Sequence, residues 1–246
     1  MKKRSFISLI ILLIFFVSIP VVLSAQSKPV PNSPDDFRIA NSSLGGVRIT
    51  SYLGTRQDVV IPETIDGLGV TEISDRVFDR AASNKIINNI VLPNTLIKIG
   101  KNAFRGQTLV SISFPSSLRI IDEGAFFGNK FTSVVIPNGV TLVGPGAFGN
   151  RTGESHITTI VIPPSLAIDV QNAAYPTAGF WNAFIESGEG RFATSITSIT
   201  LPANVPPRNF VMLGFHQFHS GFHEAYEGNG KKAGTYIWTG RIWVVQ

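Results

Sequence analysis

Cysteine is absent from all 246 residues. Its absence excludes disulfides, thiol catalysis, cysteine-held metal centres and lipid attachment through an N-terminal cysteine. Charge is also scarce: Asp, Glu, Lys and Arg together make up 15% of the chain. The net charge is +5, and Lys2, Lys3 and Arg4 account for much of it. Without those three residues, 18 basic groups face 16 acidic ones, and they are dispersed along the chain. So mild a balance gives no reason to expect nucleic acid as a partner. The long apolar run, Phe6 to Ile19, falls short of the ~20 residues a membrane-spanning helix needs and is closed by Pro20.

A basic start, that short apolar run and the small-residue exit Val21-Val-Leu-Ser-Ala25 read as a secretory signal peptide over residues 1–25. An uncleaved anchor is the alternative. On the first reading the mature chain begins near Gln26, and its membrane contact ends with cleavage. Residues 26–35, rich in proline, read as an extended linker. One domain over residues 36–246 follows. Phe37-Arg-Ile-Ala40 and Gly46-Val-Arg-Ile-Thr-Ser-Tyr52 read as a β-hairpin that covers an otherwise open sheet edge.

The chain is rich in self-similarity. Asn89-Ile-Val-Leu-Pro93, Ser111-Ile-Ser-Phe-Pro115 and Ser133-Val-Val-Ile-Pro137 open three units whose prolines are 22 residues apart. Each unit continues with an apolar pair (Leu96 and Ile99, Leu118 and Ile121, Val140 and Val143). Each closes on Ala-Phe, with Phe104, Phe126 and Phe148 all 11 residues beyond their proline. A fixed period in the twenties means a solenoid, in which every coil stacks on the last. Alternation turns Ile90 and Leu92, Ile112 and Phe114, and Val134 and Ile136 to the core of short strands. Proline lacks an N–H, so each strand stops there. Equal offsets place the phenylalanines in a column with a spacing of ~4.8 Å. Asn129 falls just outside that column and is expected to tolerate exchange.

The frame extends irregularly to both sides. Val59-Val-Ile-Pro62 reaches Val77-Phe78 with five extra residues around Asp66-Gly-Leu-Gly69. Ile160-Val-Ile-Pro163 reaches Asn182-Ala-Phe184 with ten extra residues, between about Ala167 and Gly179. Ile199-Thr-Leu-Pro202 is a sixth strand signal. These units resemble the BspA-type leucine-rich repeats of bacterial surface proteins. Gly54 to Ile73 is similar to their usual first repeat, and Asn229 to Trp238 to the closing segment of treponemal members. Many members carry cysteine just after Ala-Phe, where this chain has Gln107, Asn129 and Asn150. The expected fold is therefore mainly β: a leucine-rich repeat solenoid with one parallel sheet of about six repeats. An N-terminal β-hairpin cap and a C-terminal helix plus β-hairpin cap complete it. The resemblance implies a secreted or cell-surface, non-enzymatic module for protein–protein interaction or adhesion, with the periplasm as the remaining compartment.

Chemistry-bearing clusters are few. His216, His219 and His223 lie beside Glu224, and His219 and His223 could share a helix face as metal ligands do. Phe215, Phe218, Phe222 and Tyr226 run through the same segment, so a capping helix with histidines at its rim is the simpler reading. A metal-binding or enzymatic protein using this cluster is the alternative function, and a purely structural envelope component is a third. Gly188-Glu-Gly190-Arg-Phe-Ala193 and Gly228-Asn-Gly230-Lys-Lys-Ala233 mimic nucleotide loops but have no βαβ context. No cofactor, catalytic residue, metal ligand or small-molecule substrate is assigned. Alternation leaves Ser111, Ser113, Ser133, Val135 and Thr159 on the outward strand face. With Tyr175 and Trp181 of the Ala167–Phe192 insertion they form the candidate surface for a protein ligand from a host or a bacterial surface.

Overall fold

The computed structural model describes residues 29–150, 155–167, 196–201, 203 and 222–246. Each pass of the coil crosses three sides. The strand–proline segments line the first: β3 (Asp58–Val60) pairs in parallel with β6 (Asn89–Val91). Farther along, β9 (Ser133–Val135), β11 (Thr159–Val161) and β12 (Ser198–Leu201) form a second parallel group on this side. Ile90, Val134, Ile160 and Ile199 are buried while their neighbours face outward, which is the period-2 pattern.

The second apolar pair of each repeat makes a ladder of its own. β2 (Val47–Tyr52), β5 (Leu68–Ile73), β7 (Lys98–Ile99), β8 (Ile120–Ile121) and β10 (Leu142–Val143) run parallel. Ile73, Ile99, Ile121 and Val143 share one register line and are all buried. The parallel sheet of the repeat is thus joined by a second ladder on a neighbouring side. β1 (Phe37–Asn41) pairs antiparallel with β2 at one end. β13 (Gly234–Trp238) and β14 (Trp243–Val245) continue antiparallel from β12 at the other. The five extra residues of the first unit are a tight hairpin between β4 (Thr64–Ile65) and β5. Asp66 (φ 53°) and Gly67 (φ 75°) turn it, as a two-residue loop with both φ positive requires.

On the third side lie the Ala-Phe segments. The amides of Phe78, Phe104 and Phe126 donate to the carbonyls of Ala103, Ala125 and Ala147 at 2.8, 2.7 and 2.8 Å. The rings of Phe78, Phe104, Phe126 and Phe148 stack with centroids 4.9, 5.1 and 5.5 Å apart, within 5° of parallel. Tyr52 and Phe37 extend the column, each step 5.4 Å. Each buried ring contributes roughly 1.5–3 kcal/mol. Ile87, Leu109, Phe131 and Ile157 add a buried row that the strand pattern does not reveal. The residue before Val77-Phe78 and before each Ala-Phe is left-handed: Arg76, Asn102, Gly124 and Gly146 have φ between 53° and 62°.

Three expectations are corrected. Ser111–Phe114 is not a strand. Phe114 replaces the Leu92 and Ile136 of neighbouring coils, and its ring sits half-buried and edge-on to Phe126 (5.6 Å) and Phe148 (6.1 Å), drawing the main chain out of the ladder. Asn129 is not outside the core. It is buried, its Nδ2 donates to the carbonyls of Phe104 and Phe126 at 2.8 Å each, and its Oδ1 accepts from the Leu109 amide. Gln107 accepts from the Ile87 amide and Asn150 donates to the Asn129 carbonyl, so a column of buried amides closes the main-chain groups beside the rings. The stretch expected as a linker is pinned to the coil at Asn32. Asn32 exchanges hydrogen bonds of 2.9 Å with both main-chain groups of Val60 and lies buried against Tyr52.

Two one-turn helices, α1 (Arg80–Ser83) and α2 (Pro164–Ala167), sit in connections. α3 (Phe222–Gly228) buries Phe222 and Tyr226, whose rings meet Tyr236 and Trp243 edge-on. Gly228–Ala233 is the turn leading from α3 to β13, with Gly230 and Lys231 at positive φ, not a loop between a parallel strand and a helix.

Candidate functional site

The outward face of the strand–proline side is the candidate interaction surface. Register aligns Asp58 with Asn89 at one end, and Ser133 with Thr159 and Ser198 at the other. A second row places Val60 beside Val91, and Val135 beside Val161 and Thr200. Ser133 and Val135 are exposed, Val135 by 57%, while Thr159 is half-buried. Ser111 and Ser113 lie in the stretch that leaves the ladder, Ser111 exposed and Ser113 open to the groove described below. Tyr175 and Trp181 lie outside the described residues, as do Phe215, Phe218, His216, His219 and the side chain of His223.

The face is polar at one rim and aliphatic along its length. Asn89 Nδ2 donates to Asp58 Oδ1 at 2.6 Å, Asn88 to Gln57 at 2.9 Å, and Thr108 to Asn88 at 2.8 Å. These side-chain bonds cross from coil to coil and fix the rim. Val91, Val110 and Val135 expose 42, 54 and 57% of their surface. A groove of about 490 Å³ opens on this side, lined among others by Pro29, Pro31, Val60, Val91, Ser113 and Glu63. Among the described residues, Glu63 is the one charged group in its lining. Both carboxylate oxygens are held, one by the Asn94 amide at 2.7 Å and one by Asn94 Nδ2 at 2.8 Å. Burial holds the Tyr52 phenol above its ordinary pKa, and Asp36 pushes the same way.

The second ladder has an outward row that sequence periodicity did not single out. Arg48, Glu72, Lys98, Ile120 and Leu142 share one register line. Glu72 is buried, pairs with Lys98 at 3.3 Å and accepts from Ser42 at 3.1 Å. Two-residue strands carry too little alternation for such a row to be read from the sequence. Among the described residues no cluster of three or more His, Asp or Glu is placed to hold a metal, and no helix is long and apolar enough to cross a membrane.

Residues 71–176 match the family described as BspA type leucine rich repeat region, in six copies. No curated protein matches the chain. Among solved structures, it is similar to a leucine rich repeat protein of T. pallidum at 27% identity. That match covers 55% of this chain and 72% of the other, with a TM-score of 0.43. A leucine rich cell surface protein of Faecalibacterium prausnitzii is 20% identical over 57% of this chain and 50% of its own, with a TM-score of 0.34. The pneumococcal vaccine antigen PcpA is 18% identical over 55% of this chain and 32% of its own, with a TM-score of 0.39.

Proposed function

Residues 71–176 being a BspA-type leucine-rich repeat region, we propose that this chain is an exported, non-enzymatic module that binds a protein through the outward face of its strand–proline side. The observation that carries the reading is the composition of that face. Exposed aliphatic side chains at Val91, Val110 and Val135 stand on a rigid coil among small neutral hydroxyl groups. Such a surface is costly to leave bare and cheap to desolvate, the combination that favours a macromolecular partner. The column of stacked rings keeps the face in register while nothing on it has to move. The two antiparallel strand pairs act as caps that shield the ends of the stack from pairing with other chains. Residues 1–25 act as the signal peptide, and the mature chain starts near Gln26, secreted or held at the cell surface.

The test is a pull-down with the purified mature chain from the extracellular surroundings in which it works, beside calorimetry with zinc. The reading expects a saturable partner that protease treatment of the extract destroys and chelator leaves intact. Stoichiometric zinc binding with no protein partner would instead favour the histidine cluster. Mass spectrometry of the exported chain checks its start: a product beginning at Met1 and retained in the membrane contradicts cleavage.

A further inference from the structure

The broken ladder at Ser111–Phe114 and the groove beside it are one feature. Among the described residues, the main-chain N–H and C=O groups of residues 110–114 make no hydrogen bond, although the coils on either side are paired into β3–β6 and β9–β11. Ser113 and Phe114 line the groove together with Val60, Val91 and Leu92. Four successive passes of the chain therefore border one trough, from Pro29–Pro31 through Val60 and Val91 to Ser113. Unpaired main-chain groups beside an aliphatic floor are what an extended peptide uses: main-chain bonds supply affinity and alternate side chains enter pockets. Glu63 adds a sign. It is exposed, already oriented by Asn94, and pairs with no Lys or Arg among the described residues. An oriented carboxylate without a cation is complementary to a basic side chain.

We propose that this trough docks an extended peptide segment of the protein partner, with an aliphatic side chain set over Val60 and Val91 and a Lys or Arg next to it at Glu63. The inference rests on the protein-binding reading above and narrows it to one place and one chemistry.

The test is a titration of the ¹⁵N-labelled mature chain with acetyl-Lys-Val-Thr-Val-Lys-amide and with its Glu-Val-Thr-Val-Glu counterpart. The expected result is perturbation of the Val91, Ser113 and Phe114 amides, with the lysine peptide binding at least fivefold tighter. Glu63→Gln should remove that preference, and Val91→Lys should abolish binding with the melting temperature retained. Equal affinity for the two peptides, or shifts confined to other coils, overturns the proposal. It is also overturned if Lys28→Ala moves the same amides in the peptide-free protein, which would make the chain's own N-terminal segment the occupant. Shifts that depend on protein concentration alone would make a second copy the occupant and overturn it equally. A captured partner that survives both Glu63→Gln and Val91→Lys, yet is lost with Val135→Lys, defeats this inference and leaves the broader reading standing.

Discussion

At the residue scale, the buried amides are as consequential as the rings. Phe126 touches Phe104, Phe114, Phe131 and Phe148. Phe126→Ala should cost about 3–5 kcal/mol in a urea titration, from lost burial plus a cavity. Asn129→Ala should cost about 2 kcal/mol or more, because it leaves the carbonyls of Phe104 and Phe126 and the Leu109 amide without their partner inside the core. Identical stability of Asn129→Ala and the parent would show that the amide column is ornamental. The column was legible only as a spacing: Gln107, Asn129 and Asn150 follow each Ala-Phe, but nothing in a polar residue's identity declares it buried. Gly144 marks a close approach, since a Cβ there would lie 2.4 Å from the Glu123 amide nitrogen. Tyr52 predicts a pH effect. Burial raises its pKa in the fold, so the neutral phenol is the form the fold prefers. That stability is complete below the unfolded value of ~10 and is lost as pH rises through the higher folded value. Tyr52→Phe should flatten the fall in melting temperature above that pH; an unchanged slope would assign the fall to other groups.

At the element scale, the ladder on the strand–proline side should open at one place. Hydrogen exchange should find the amides of Ile112, Ser113 and Phe114 exchanging at least tenfold faster than those of Val91 and Val134, whose N–H groups are paired within β3–β6 and β9–β11. Uniform protection across the three coils would restore the unbroken ladder that the 22-residue repeat suggests. The repeat was legible because its apolar positions, prolines and Ala-Phe pairs recur at fixed offsets. The break was not, because Phe114 satisfies an apolar pattern as well as Leu92 or Ile136 does. Volume and ring shape decide it, and neither enters a hydrophobic periodicity. The second ladder hid for another reason: strands of two residues, such as Lys98–Ile99, are shorter than the alternation that announces a strand.

At the scale of the whole molecule, the chain is a scaffold on which three sides do different work. One side stacks rings and amides, one carries a ladder with buried Glu72 paired to Lys98, and one presents small hydroxyl groups and exposed valines. The solenoid was readable from the sequence, whereas the candidate surface was readable only as a set of outward positions. The groove joins residues as distant as Pro29 and Ser116, and its lining depends on where Asn32 pins the N-terminal segment. The central claim is that protein binding belongs to the strand–proline side. The most direct measurement is the affinity of the captured partner for three single-lysine variants, each checked for an unchanged melting temperature. Ser133→Lys and Val135→Lys place charge on that side; Thr141→Lys places it at an exposed position beside the second ladder. The account predicts that the first two weaken binding at least tenfold and that Thr141→Lys leaves it within twofold. Loss confined to Thr141→Lys, with Ser133→Lys and Val135→Lys binding as the parent does, would contradict it.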